Sequence, residues 1–186
     1  MLRNFIIGCW ILFALYWTVT AASTKRTAER QSWASRAGHL LLLALSFVLL
    51  FGAVLIDPLR RRVIPPAVPV QIIAAVLCAC GLALALWARR TIGGNWSSVV
   101  TLKQDHELVT SGPYRYVRHP IYSAILAMFL ATALAAGRIT AVVGFALCFA
   151  SFWIKLRQEE ALMMRHFPDE YPAYQARVKA LIPFLL

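Results

Sequence analysis

Long apolar runs separated by short basic clusters set the rhythm of this chain. A membrane-crossing helix needs about 20 mostly apolar residues, with a range of about 17–25. Five charge-free windows approach that length, at residues 4–22, 39–56, 69–88, 121–136 and 139–154. Only Gly137 and Arg138 separate the last two. The pattern predicts a tight helical hairpin there, with Arg138 snorkelling to the headgroups; a re-entrant pair is the alternative. The expected fold is an all-α integral membrane bundle of about five transmembrane helices, forming one domain over residues 1–186.

Between the windows the pattern changes character. The third window follows Pro65 and Pro66 and opens on Pro69, whose missing N–H suits the first turn of a helix. Residues 91–119 are polar and carry Gly93, Gly94, Asn95 and Ser111-Gly112-Pro113, which predicts a loop with turns. After the fifth window, Leu156, Leu162, Met163, Phe167, Tyr171 and Tyr174 are spaced among charges, as in an amphipathic helix broken near Pro168. There is no internal repeat.

Composition sharpens the membrane assignment. Of 186 residues, 60% are hydrophobic, against roughly 45–50% apolar in soluble domains. The net charge of +11 is large enough for a nucleic-acid binder, but these charges cluster between apolar runs instead of covering one amphipathic surface. That is the arrangement of topology determinants beside anionic lipid, so no nucleic-acid partner is expected. With five spans, residues 23–38, 89–120 and the tail from Lys155 share a side and hold four, five and five Lys and Arg, fourteen of the nineteen. The positive-inside bias places that side, with the C-terminus, in the cytoplasm. The triplet Arg60-Arg61-Arg62 falls on the other side and argues against this. The four cysteines lie within apolar runs and form no CxxC or His/Cys ligand set, so no metal is expected. The first residues could pass for a secretory signal; an uncleaved first helix is the reading adopted here.

Candidate chemistry concentrates in residues 91–120 and 155–183, which share the cytoplasmic face. Gly112-Pro113-Tyr114-Arg115-Tyr116-Val117-Arg118-His119-Pro120-Ile121-Tyr122 runs directly into the fourth window, and Arg157-Gln158-Glu159-Glu160 leaves the fifth. A hairpin of the last two windows brings His119 and Glu159 together. Carboxylates, guanidiniums and an imidazole at a membrane surface suit a charged cofactor beside a lipid substrate. Alternatively, Glu159 and Glu160 pair with Lys155, Arg157 or Arg165 along a solvated helix, for about 0.3–0.5 kcal/mol per pair, and the tyrosines are interfacial anchors. The residues alone leave both readings open.

The 112–122 string resembles the signature of the isoprenylcysteine carboxyl methyltransferase family and its phospholipid methyltransferase relatives. The run Arg157-Gln158-Glu159-Glu160 with Leu162, Phe167, Tyr171, Tyr174, Val178 and Ile182-Pro183 is similar to that family's C-terminal block. Ile92-Gly93-Gly94-Asn95-Trp96-Ser97 resembles its glycine turn. The likeness covers roughly the second half of the chain and departs at Ala124 and Pro168, where the family usually has glycine.

The resemblance implies an S-adenosylmethionine-dependent methyltransferase, releasing S-adenosylhomocysteine and acting on a lipophilic substrate. O-methylation of an isoprenylcysteine-type carboxylate is the reaction expected. It further implies that Glu159 and Glu160 hold the cofactor ammonium while His119 or Arg118 takes its carboxylate. Trp96, Tyr116 and Tyr122 pack on adenine or ribose, Pro120 belongs to the same cofactor-binding set, and Gly93 and Gly94 admit close backbone approach. Arg157 orients the acceptor carboxylate, which makes Arg157, Glu159 and His119 the catalytic set, and the lipid tail enters between the third, fourth and fifth spans. A phospholipid amine as acceptor would need His119 or a glutamate as base. The other enzyme class considered is a sterol-type membrane reductase using NADPH. A haem protein needs facing histidines, and of His39, His106, His119 and His166 only His39 touches a window. The implied location is a bacterial inner membrane, among lipids, with a cytoplasmic active site.

Overall fold

The computed structural model describes residues 2–21, 27–30, 33–52, 61–96, 101–103 and 107–185. Each apolar window corresponds to a helix: α1 Leu2–Ala21, α2 Trp33–Phe51, α3 Val68–Ile92, α4 Pro120–Ala136 and α5 Ile139–His166, followed by α6 Glu170–Arg177. Ala22, residues 53–56 of the second window, Arg60, Ser97 and His106 lie outside the described residues.

Three boundaries differ from the expectation. Helix α2 starts at Trp33, six residues before its window, and ends at Phe51. Helix α5 runs unbroken through 28 residues, so the fifth span and the amphipathic segment are one helix; nothing between Ile154 and His166 is a glycine or proline. At about 1.5 Å per residue it is about 42 Å long, longer than the roughly 30 Å hydrocarbon core, and Glu159 and Glu160 lie in its C-terminal third. The predicted break at Pro168 is present, separating α5 from α6. The third difference is length. Leu2–Ala21, Val68–Asn95 and Ile139–His166 are long and apolar enough to cross a bilayer, whereas Ala37–Phe51 and Pro120–Ala136 are shorter apolar helices. Seventeen residues of α4 reach only about 26 Å, a mismatch that local bilayer thinning accommodates.

Connections agree with an alternating path. Two short strands, β1 Thr27–Arg30 and β2 Thr101–Lys103, pair antiparallel and join the connection after α1 to the one after α3, so both lie at one end of the bundle. At the other end, Arg62 bridges to Arg138, Val63 N–H donates to Gly137 O at 2.9 Å, and the Arg62 guanidinium donates to Ala136 O at 3.1 Å. Arg61 and Arg62 therefore cap the α4–α5 turn.

Helix α3 packs most extensively on α4, and α2 on α5. The α3 seam consists of small residues at helical spacing, Ala74, Cys78, Gly81, Ala85 and Ala88, all buried. Among lipid tails, apolar burial gives helices little reason to associate, so close backbone approach through small residues supplies the attraction. A Cβ on Gly81 would lie 2.9 Å from Ala124 O and 2.9 Å from Met128 Cγ. Gly81→Ala is therefore expected to destabilise the bundle by about 1–3 kcal/mol, measured as a lower thermal midpoint in detergent; an unchanged midpoint would mean that α3 and α4 are not held this tightly. Facing outward, Ile7, Ile11, Leu15, Leu41, Val48, Ile73 and Val76 are exposed, as lipid-facing positions should be.

Candidate active site

A cleft opens where the C-terminal end of α3, the start of α4, the last turns of α5 and the face of α6 meet. The space between these elements, counted together with the open solvent at its mouth, is about 870 Å³, and charged and aromatic side chains converge on it, as they do in small-molecule sites.

The chain builds one wall from a helix stop. Helix α3 ends at Gly93, which adopts φ +54° and ψ −130° while its N–H donates to Arg89 O. A side chain is strained at that φ, so the glycine sets the direction of the following 3₁₀ turn, Gly93–Asn95, and of Trp96. Arg89, 2% exposed, fixes this turn from beneath. Its guanidinium donates to Gly93 O and to Thr20 O, both at 2.7 Å, and lies 4.7 Å from the centre of the Trp96 ring. A cation between the carbonyl ends of α1 and α3 is favoured by both helix dipoles.

A second wall comes from residues 112–122. A 3₁₀ turn over Gly112–Arg115 leads to a short bridge with the C-terminal segment, in which Arg118 N–H donates to Lys179 O at 2.8 Å and His119 N–H to Ala180 O at 2.9 Å. Pro120 then begins α4, and Ser123 Oγ donates to Leu181 O at 2.5 Å. The tail thus pins the motif in place.

Glu159 and Glu160 point in different directions because adjacent helical residues are about 100° apart. Glu159 lines the cleft and accepts from Tyr122 OH at 2.6 Å, with Lys155 Nζ at 3.7 Å and His119 Nδ1 at 3.7 Å. Glu160 is buried. Its Oε1 accepts from Arg118 Nε at 2.8 Å and Nη2 at 2.5 Å and lies 3.2 Å from His119 Nε2, while Oε2 accepts from Gln175 at 3.2 Å. The remaining Arg118 nitrogen donates to the carbonyls of Val178 and Gln175. His119 stands between the two carboxylates and stacks on Tyr122 at 5.4 Å. Beside them, burial pushes the Tyr174 phenol up to about 12 and raises Tyr114 and Tyr171 too. All three remain neutral, and Tyr174 OH donates to Tyr114 O at 2.6 Å.

Of the residues singled out in the sequence, Trp96, Arg118, His119, Pro120, Tyr122 and Glu159 line the cleft. Glu160 sits behind them as the partner of Arg118. Gly93 and Gly94 form the turn without lining the cleft, and a Cβ on Gly93 would meet nothing within 4 Å. Tyr116 is 56% exposed and outside the lining. Arg157 is exposed and lies over the Trp153 ring at 6.0 Å, away from the cleft. The pairing considered as the alternative exists in part, since Lys155 and Glu159 meet at i, i+4 spacing. Sequence reasoning gave no site role to Asn95, Glu107, Tyr114, Tyr171 and Tyr174, which also line the cleft, and named Lys155 only as a partner of the acidic pair on a solvated helix. The i, i+4 spacing is a usable signal for Lys155; Asn95 read only as turn chemistry.

Comparison with known proteins fits this geometry. Protein-S-isoprenylcysteine O-methyltransferase of Schizosaccharomyces pombe is 34% identical over 96 residues, covering 50% of this chain and 41% of that protein. A protein of Oryza sativa subsp. indica, named probable protein-S-isoprenylcysteine O-methyltransferase, is 26% identical over 152 residues, covering 78% of this chain and 80% of its own. The nickel-cobalt-cadmium resistance protein NccN of Alcaligenes xylosoxydans xylosoxydans is 33% identical over 97 residues, 51% of this chain and 45% of that one. This chain thus spans less than half of the yeast protein and most of the rice one. A family model described as phospholipid methyltransferase matches residues 70–170, a stretch that holds almost all of α3, the two 3₁₀ turns, and α4 and α5 with the Glu159–His119–Tyr122 cluster. On that match the chain belongs to the phospholipid methyltransferase family.

Proposed function

We propose that this protein is an S-adenosylmethionine-dependent methyltransferase that methylates a lipophilic acceptor, an isoprenylcysteine-type carboxylate in first place. The observation that carries the proposal is Glu159, a carboxylate held at the cleft wall by Tyr122 OH at 2.6 Å in a chain whose relatives bear this activity in their names. Bound there, S-adenosylmethionine supplies an electrophilic methyl group on a sulfonium.

The donor set fits such a ligand. Glu159 offers a fixed negative charge to an ammonium, through charge-assisted hydrogen bonds that neutral groups do not match. His119, held by Glu160 and by stacking on Tyr122, is oriented to meet a carboxylate. Trp96 and Tyr114 give the cleft aromatic surface, and Arg118 with Glu160 stiffens the wall without facing an unpaired charge inward. An acceptor that is already an ionised carboxylate requires no base, so the work of these residues is alignment. The acceptor tail enters between α3, α4 and α5, which brings its carboxylate to the cleft beside Glu159 and His119. On the charge bias the cleft faces the cytoplasm.

A second acceptor class is favoured by the family match itself, which names phospholipids. An ammonium headgroup must lose a proton before it attacks, and His119 is the base within the cleft. One experiment separates these readings. Detergent-purified protein is titrated calorimetrically with S-adenosylhomocysteine and, in parallel, NADPH. It is then given methyl-labelled S-adenosylmethionine with either a farnesylcysteine analogue or phosphatidylethanolamine. Binding of S-adenosylhomocysteine with label in the farnesylcysteine ester is the expected result. Label in the phospholipid would shift the acceptor, and binding of NADPH alone would overturn the methyltransferase reading.

A further inference from the structure

Asn95 is a buried residue of the cleft wall, 9% exposed, whose side-chain oxygen Oδ1 has no hydrogen-bond partner among the described residues. A buried amide without partners loses hydration without compensation, at a penalty that native proteins seldom retain. The fold nevertheless takes trouble to hold it there. Gly93 turns the chain at positive φ, Arg89 ties that turn to α1, and the next residue, Trp96, is braced by Arg89 on its face and by Trp17 at 6.0 Å. Asn95, Trp96, Ile92 and Val109 all line the cleft, so the amide belongs to a wall that is otherwise flat and apolar.

A ligand that satisfies this wall must combine a planar ring with an edge presenting a donor beside an acceptor. A planar amide recognises that pattern with two parallel hydrogen bonds. Adenine meets it: the 6-amino group donates and the neighbouring ring nitrogen accepts, the pairing that asparagine makes with this base elsewhere. We propose that Asn95 is the base-reading residue of the cleft, its Oδ1 accepting from an adenine 6-amino group and its Nδ2 donating to the adjacent ring nitrogen, with Trp96 against the ring. This rests on the proposed S-adenosylmethionine function and deepens it. Selectivity for the adenine amine is placed on the α3 turn, whereas the amino acid end of the ligand is placed on Glu159 and His119.

The test is a cycle of two proteins and two ligands on the full chain in detergent. Calorimetry compares S-adenosylhomocysteine with its 6-desamino analogue, in which hydrogen replaces the purine amine, on the wild type and on Asn95→Leu. The wild type is expected to bind S-adenosylhomocysteine about ten- to a hundredfold more tightly than the analogue, and Asn95→Leu to bind the two alike. Asn95→Leu without ligand is expected to melt at or above the wild-type midpoint, because the leucine removes an unsatisfied buried amide; this keeps folding separate from recognition. A wild-type preference that persists in Asn95→Leu overturns the base-reading role and leaves the methyltransferase reading standing. Failure of the wild type to bind S-adenosylhomocysteine at all overturns both.

Discussion

Glu159→Gln is expected to lose S-adenosylhomocysteine affinity by at least about thirtyfold while its thermal midpoint stays within a few degrees of wild type. The substitution keeps shape and keeps an acceptor for Tyr122 OH, now at 2.6 Å from Oε1, but removes the negative charge. Breaking one side of a partly desolvated charge pair costs about 2–5 kcal/mol in affinity, which corresponds to that loss or more. Stability should barely respond. The Glu159 side chain is 22% exposed and its ion pairs with Lys155 and His119 are both long at 3.7 Å, so weakening them costs far less than breaking a close buried pair. Calorimetric titration and a thermal melt on the same preparation check both halves. Affinity within threefold of wild type would remove Glu159 from the ligand site.

The second large effect concerns the neighbouring pair. Arg118→Met is expected to destabilise the protein by about 3–5 kcal/mol, because it leaves the Glu160 carboxylate buried without its cation. The side chains of Arg118 and Glu160 are 9% and 6% exposed, so neither can turn to water. The double variant Arg118→Met, Glu160→Met should recover much of the loss, since replacing both members of a buried ion pair with apolar groups is often close to neutral. Melting midpoints of the two variants decide the matter. A single variant that melts normally but binds S-adenosylhomocysteine poorly would make Arg118 a ligand-binding cation instead of a strut. These two experiments also separate Glu159 from Glu160, which the sequence presents as one acidic unit.

The reason that unit divides also marks how far the sequence can be read. Five apolar windows, the hairpin around Gly137 and the break at Pro168 follow from composition and local backbone chemistry, and the structure contains helices at each. The meeting of His119 with Glu159 follows from the hairpin, because a turn at Gly137 returns α5 beside α4. Side-chain direction is a finer quantity. Arg157 precedes Glu159 by two positions, so the two lie on nearly opposite sides of α5, whereas Lys155, four positions before, lies on the same side. Nearness along the chain to Glu159 therefore does not bring the Arg157 guanidinium to the cleft. The continuity of α5 was hidden for another reason. Polarity changes at Lys155 as the helix leaves the lipid, and a change of solvent along a helix looks, in a sequence, like a change of element. Asn95 was invisible as a binding group because asparagine after two glycines is also ordinary turn composition; only its burial without a partner distinguishes it.

The Arg89 clamp has an optical consequence. Trp96 in the cleft wall touches Trp17 of α1 edge-on, with ring centres 6.0 Å apart, and the Arg89 guanidinium lies against the Trp96 ring. Indole emission responds to a nearby charge and to the polarity around the ring, so anything that settles against Trp96 alters the light from a pair of indoles already coupled by contact. The molecule therefore carries an intrinsic fluorophore at the place where its ligand is proposed to rest. Occupancy of the cleft can then be followed without a label, and a fusion that disturbs α1 should be visible in the same spectrum before any ligand is added.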